Sequence, residues 1–236
     1  METRQYPAEW NEWIAMLQVK PGEDPKDLGR RRDLWLQCHG EKIMERMLQG
    51  HYDKVAWEAV PSSQAGFTKQ RNAPEQSLVL RLGTEQSMME RTTLAKGWVD
   101  YATFFMSICH RVMWEVEEWS GVEPEVTEVM KALREGLADV HGQQLRGLVG
   151  RYETEYGLTD EVPIEQGVGQ GAILSPVRAK LVLGAVQKAV NKLCPGYMLR
   201  MDGRRLAMLC FADDAILLAD SVHTLQLAFE CTWLVS

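Results

Sequence analysis

Apolar positions along this chain follow two rhythms, and the changes between them mark its elements. After Trp10 and Trp13, the run Ile14-Ala15-Met16-Leu17-Gln18-Val19 reads as a strand, and Lys20-Pro21-Gly22-Glu23-Asp24-Pro25 breaks the chain after it. The segment from Leu34 to Leu48 turns helical in its second half, where Ile43, Met44, Met47 and Leu48 share one apolar face. A loop from Pro61 to Pro74 follows. Ser77 to Met89 then carries Leu78, Leu82, Gln86 and Met89 on a helical stripe, with Gly83 as its weak point. Thr92 to Tyr101 is a short strand with Asp100 near its C-terminal end. Helices are predicted over 104–119 and 124–140, the second with Val126, Val129, Met130, Leu133, Leu137 and Val140 on its core face. Residues 141–163 are less periodic and read as strands or extended loop. Ser175-Pro176 signals a helix start, a hydroxyl N-cap followed by proline, and Pro195-Gly196 closes that helix after Leu193. Thr224 to Val235 begins a further helix or strand. Helices and strands alternate in the α/β manner, without a regular βαβ series.

The segment Leu206 to Ala219 holds the most informative chemistry. Asp213 and Asp214 stand between two apolar runs of strand length, which reads as a hairpin with both acids at its tip. Ionised carboxylates are costly to bury without a cation or strong donors, so a rigid tip of this kind suits a hard divalent ion. The same letters also describe an ordinary turn whose acids face water.

Composition narrows the field. The chain has 236 residues, 45% hydrophobic and 25% charged, as a soluble globular protein does. A formal charge of −7 argues against non-specific adhesion to nucleic acid. The clusters Arg30-Arg31-Arg32, Lys69 with Arg71, and Arg204-Arg205 nevertheless supply local positive charge for a groove. Cys38, Cys109, Cys194, Cys210 and Cys231 form no C-x-x-C pair, so neither a zinc site nor a disulfide framework is indicated, and free thiols suggest an intracellular setting. No apolar run reaches transmembrane length and the N-terminus lacks a signal-peptide core, so no membrane partner is expected.

The run Gly167-Val168-Gly169-Gln170-Gly171-Ala172 precedes the Ser175 helix. It matches neither the dinucleotide-binding glycine pattern nor a Walker A loop, and alone it describes an ordinary strand-to-helix loop. Taken together, an acid ending a strand, a glycine loop opening a helix and an acid pair on a hairpin are what two-metal phosphoryl transfer demands.

In that combination the chain resembles reverse transcriptases, most closely those of non-LTR (LINE-like) retrotransposons and related group II intron enzymes. Six motifs carry the resemblance, in order from about Lys20 to the end. Lys20-Pro21-Gly22-Glu23-Asp24-Pro25 resembles "KPGKDP", and Arg32-Asp33-Leu34 with Lys42-Ile43 resembles "RPISL…K". Gln64-Ala65-Gly66-Phe67-Thr68-Lys69-Gln70-Arg71 resembles "QxGFRxGR", and Asp100 to Ile108 resembles "DxxxAFDSI". Gly167 to Pro176 resembles "GVRQGCPLSP", and Phe211-Ala212-Asp213-Asp214 stands for "YADD".

The resemblance implies an α/β (α+β) right-hand polymerase, with residues 1–95 fingers-like and 96–236 an incomplete palm. Residues of about 110–165 would be an insert packing with the fingers, and the thumb would be missing. It implies Mg²⁺ (or Mn²⁺) as cofactor, and an RNA template, a DNA primer and deoxynucleoside triphosphates as partners. Asp100 and Asp213 would hold the metal ions with Asp214 in support. Phe105 would gate the sugar, Gln170 and Gly171 would contact the incoming nucleotide and primer terminus, and Arg32 would reach the triphosphate. Arg71, Ser175 and Pro176 would lie along template and primer. Three letters depart from the pattern: Phe104 for a small residue, Met106 for a second Asp, and Gly169 for a basic residue. The chain runs only about 20 residues beyond the acid pair, so the resemblance implies a fragment of a larger retrotransposon polyprotein. Two other readings are a catalytically inactive, nucleic-acid-binding remnant and a small-nucleotide phosphotransferase with a similar palm.

Overall fold

The computed structural model describes residues 7–22, 24, 27, 31–101, 103–136, 147–200 and 203–235. Arg30, Glu23, Pro25, Ala102 and the predicted helix end at 137–140 lie outside the described residues. Beside the sequence division at 95/96, the chain forms two compact units, each built from two stretches. One takes Met1–Val55 and Phe105–Arg178, the other Ala56–Phe104 and Ala179–Ser236.

The first unit is organised by a mixed sheet of β1 (Glu12–Val19), β2 (Arg31–Leu36), β4 (Val149–Thr154), β5 (Gly157–Leu158) and β6 (Val162–Pro163). β1 pairs antiparallel with β2 (Ile14 opposite Leu36) and parallel with β4 (Glu12 opposite Val149). One face carries Trp13, Ala15 and Trp35, which pack with Leu148 and Ala172 and with the half-buried Met106, Tyr152 and Ile164. The two indole rings lie 6.2 Å apart, and Trp35 meets Tyr152 edge-on at 5.6 Å. Around this sheet come α3 (Phe104–Ser107), α4 (His110–Ser120) and α5 (Pro124–Glu135). The single helix predicted over 104–119 is therefore broken. Its backbone opens at Ile108-Cys109, where the Ile108 carbonyl accepts from Gly167 N at 2.7 Å and Cys109 bridges Gln166.

The second unit is built on β3 (Ala95–Asp100), β9 (Met208–Phe211) and β10 (Asp214–Ala219), in the order β3-β10-β9 and antiparallel throughout. The predicted hairpin is thus present, and its second strand is the centre of the sheet. A smaller ribbon pairs β7 (Tyr197–Leu199) with β8 (Arg204–Leu206). On one sheet face Leu209, Ile216 and Leu218 pack with Tyr197, Leu199, Leu94 and with Val79 and Leu80 of α2 (Ala73–Glu90). The other face meets α7 (Val222–Val235), whose Phe229 ring occupies the space a side chain at Gly97 would need. Two long helices, α1 (His39–Ala59) and α6 (Ser175–Leu193), give residues to both units.

Three predicted stripes can be compared with the packing. Met130 and Leu133 of α5 are buried as expected. The α2 stripe is turned: Leu78 and Met89 are exposed, while Gly83 and Ser87 face inward, with Leu199 packed 3.3 Å from where a Gly83 Cβ would stand. The α1 stripe is reversed. Ile43 (64% exposed) and Met47 (79%) face out, whereas Glu41 and Glu45 are completely buried.

That inversion has a chemical cause. Glu41 accepts from the Trp13 indole at 2.7 Å and from Arg134 at 3.1 Å. Glu45 accepts from Arg134 at 2.9 Å and from the backbone N–H groups of Ile173 and Leu174 at 2.9 and 3.1 Å. The Arg134 guanidinium, itself buried, forks to both carboxylates and lies 4.2 Å from the Trp13 ring centre. Nearby, Glu117 accepts from Arg178 at 2.5 Å and from the Tyr52 hydroxyl at 2.9 Å. Burial pushes the Glu41 carboxyl above its usual range, against the pull of Arg134. A helix carries its glutamates inward when each buried oxygen meets a donor.

Candidate active site

The acidic hairpin has a two-residue turn, Ala212-Asp213, between Phe211 and Asp214. Ala212 has φ 56, the positive angle that tight hairpins place at a central turn position and that a non-glycine residue adopts only under restraint. On the neighbouring strand the register sets Asp100 directly opposite Asp214. Paired residues of an antiparallel ladder send side chains to the same face. One row across the sheet therefore reads Asp100, Asp214, Phe211, and the next reads Trp98, Ile216, Leu209. Asp213 stands beside this row, in the turn.

Asp100 and Asp214 are exposed and Asp213 is half-buried. None of the three carboxylates makes a hydrogen bond or ion pair among the described residues. Asp100 and Asp214 line a cavity of about 430 Å³, together with Trp98, Phe211, Ile216 and Leu80 among others. Three uncommitted oxygen donors at one sheet end are a chemically suitable set for a hard divalent cation. No group of three or more His, Cys, Asp or Glu is gathered tightly enough among the described residues to be a formed metal cage. Next to Asp100, Tyr101 packs against Phe104 at 5.4 Å, and burial pushes its phenol up.

Arg71 belongs to the same unit. It donates to the carbonyls of Gln64 (3.2 Å) and Pro61 (3.4 Å), and lies 5.0 Å from the Trp57 ring centre. Its guanidinium thus holds the loop that leads into α2. That helix starts on a full capping box, with Asn72 and Glu75 exchanging side-chain and backbone hydrogen bonds.

The other motif residues belong to the first unit. Arg32 is exposed on β2, opposite Gln18. Phe105 is half-buried in α3, and its carbonyl accepts from Val168 N at 2.7 Å. Gln170 gives its carbonyl to Trp35 N at 2.7 Å. Gly171 has φ 118, and a Cβ there would stand 2.6 Å from the Trp35 carbonyl oxygen, so only glycine fits. The glycine loop is therefore moulded on Trp35. The predicted helix start is present, with Ser175 buried as the first residue of α6 and Pro176 half-buried beside it. The donors just ahead of this helix are taken by Glu45, a capping role the local letters Ser-Pro could not reveal.

One residue at the hairpin escaped the sequence reading. Gln64, fully buried, bonds the backbone of Ala212 in both directions. It lies within the motif Gln64 to Arg71, but nothing local says that its partner is almost 150 positions further on.

Comparison with known proteins bears on the fold. The chain has a mixed α/β fold similar to that of solved telomerase structures. It is similar to apo telomerase from Candida tropicalis truncated from its C-terminal domain (TM-score 0.61, 13% identity, 94% of this chain and 46% of that one). It is similar also to telomerase from Candida albicans in complex with a TWJ fragment of telomeric RNA (TM-score 0.61, 9% identity, 95% and 39%). The chain thus spans less than half the length of these telomerase chains, and at such identities the likeness is one of fold. No sequence family and no curated protein matches it. Among the described residues, no helix is long and apolar enough to cross a membrane.

Proposed function

We propose that this chain is the acid-bearing part of an RNA-directed DNA polymerase, adding deoxynucleotides to a primer 3′-hydroxyl. The observation that carries the reading is the register of Asp100 opposite Asp214, with Asp213 in the adjoining turn and all three carboxylates uncommitted among the described residues. The telomerase-like fold supports it independently. Asp100 and Asp213 would hold Mg²⁺, with Asp214 keeping the local charge negative. The bound ions would lower the pKa of the attacking hydroxyl and neutralise the leaving pyrophosphate. The strands keep the carboxylates at a fixed spacing, and the hydrogen-bonded turn keeps Asp213 from swinging away. The sugar, nucleotide and template roles of Phe105, Gln170, Gly171, Arg32, Arg71, Ser175 and Pro176 belong to the same proposal. So does the non-LTR affinity of the motifs.

Primer extension on homopolymer RNA with Mg²⁺ or Mn²⁺ tests this, with Asp213→Asn as the paired control. Incorporation by the wild-type chain should fall at least 100-fold in the variant, the scale expected when a metal-holding carboxylate is removed. Equal incorporation by both proteins would remove the two-metal site. A second reading, a non-catalytic nucleic-acid-binding fold, draws on the absence of a formed acid cage among the described residues. It predicts RNA binding with no incorporation by either protein.

A further inference from the structure

We propose that Gln64 is a positioning residue for the acidic hairpin, a side-chain clamp that holds the Ala212-Asp213 turn in a strained shape. The consequence for metal binding rests on the polymerase reading above, whereas the clamp itself does not.

The geometry is reciprocal. Gln64 Nε2 donates to the Ala212 carbonyl at 3.1 Å, and Gln64 Oε1 accepts from Ala212 N at 3.1 Å. The same oxygen accepts from Gly66 N at 2.8 Å, so one buried amide joins the turn to the loop beneath it. On either side the backbones are laced together. Ala65 N donates to the Cys210 carbonyl and Cys210 N to the Ser63 carbonyl, both at 2.9 Å, as in a short parallel strand along the free edge of β9. Gln187 of α6 donates from behind to Ser63 Oγ at 2.8 Å and to the Met208 carbonyl at 2.9 Å. At Gly66 a Cβ would overlap the Ala212 backbone nitrogen and stand 2.5 Å from Ala212 Cα. The turn is thus seated on a glycine and gripped by the glutamine two residues earlier.

Local preference does not favour this shape. Ala212 sits at φ 56, where alanine is disfavoured and where Asn or Gly is the usual choice. A turn with the wrong residue needs outside hydrogen bonds to persist, and Gln64 supplies both. Since Asp213 is the next residue, the clamp fixes where its carboxylate stands relative to Asp214 and Asp100. Gln64 touches no reacting atom and acts only through the turn.

The test compares the wild-type chain with Gln64→Leu and Gln64→Glu, using amide hydrogen exchange read by mass spectrometry and Mn²⁺ binding read by electron paramagnetic resonance. Gln64→Leu removes both hydrogen bonds to Ala212 and should speed exchange in peptides covering Ala212–Asp214 by roughly tenfold or more, about the factor of a single buried hydrogen bond at the least, and leave peptides covering Val149–Thr154 unchanged. The apparent Mn²⁺ dissociation constant should rise by a similar factor, about tenfold. Gln64→Glu keeps the acceptor but sets a carboxylate against the Ala212 carbonyl. Its protonated form regains a donor, so its excess exchange should shrink as pH is lowered from 8 to 5. This pH profile decides the matter even if the leucine variant does not fold. Hairpin exchange equal to wild type in the variants would overturn the clamp, whereas faster exchange with an unchanged Mn²⁺ titration would overturn its role in positioning Asp213 for metal. If the wild-type chain binds no Mn²⁺, the metal-site reading fails instead, and the exchange data alone judge the clamp.

Discussion

Replacing Arg134 by methionine tests the buried charge network of the first unit. The side chain of Arg134 is 6% exposed, and those of Glu41 and Glu45, which it bridges, are both at 0%. Methionine fills similar volume and keeps contact with the Trp13 ring, so the loss is electrostatic. Glu41 would keep the Trp13 donor and Glu45 the two backbone donors, but both would be buried without a counter-charge. Breaking a buried pair by removing one partner costs about 3–5 kcal/mol, which for a chain of this size lowers the unfolding midpoint by roughly 6–20 °C. Thermal unfolding followed by far-ultraviolet circular dichroism at pH 7.5 measures it. Two controls sharpen the reasoning. Arg134→Lys keeps one charge but cannot fork in a plane to two carboxylates, so it should fall between the two. Adding Glu41→Gln and Glu45→Gln to Arg134→Met removes the stranded charges and should restore most of the loss. The sign with pH is also fixed. Burial already raises the Glu41 pKa and Arg134 opposes that rise, so without Arg134 the carboxyl protonates more readily and the deficit shrinks as pH falls. A midpoint within about 2 °C of wild type, or a deficit that grows on acidification, would refute the assignment.

Two further outcomes follow from the same unit. His110 is buried, its Nε2 lies 2.8 Å from the Gly167 carbonyl, and burial, helped by the Arg134 and Arg178 charges, holds its pKa below 6.5. A depressed histidine contributes stability above its unfolded pKa and loses it as pH falls through the folded value, so the wild-type midpoint should drop from pH 7.5 to 5 more steeply than that of His110→Gln. Ile43→Gln with Met47→Gln should change stability by no more than about 0.5 kcal/mol in urea unfolding, since both side chains face water, whereas Glu45→Leu should cost several times more.

What the sequence reveals depends on how far apart the interacting residues are. The hairpin, the β3 strand and the helix over 175–193 are written in local runs and punctuation, and the structure has them where the letters put them, whereas the letters left the last segment open between helix and strand and the structure makes it the helix α7. The acid row is half legible. Adjacent aspartates between apolar runs announce a tip, but the pairing of Asp100 with Asp214 rather than another acid is a matter of register. The direction of α1 is not legible at all, because Ile43 and Met47 are apolar and Glu45 is charged. The distant Trp13 and Arg134 and the backbone at Ile173-Leu174 make the opposite face the buried one. Gln64 and Arg71 fall in the same class: their partners are backbone atoms, which no side-chain pattern reports.

The interleaving of the two units also governs how this polypeptide can be made. Among the described residues, strand β1 finds its parallel neighbour only in β4, and β3 has its sheet partner only in β10. A chain emerging from the ribosome therefore carries Ala95–Asp100, with its exposed Trp98, as an orphan ribbon through the synthesis of more than a hundred further residues. Closing such long loops is slow, and unpaired strands meanwhile seek partners on other molecules. The device that puts Asp100 beside Asp214 is thus also a point at which a nascent copy is exposed to aggregation.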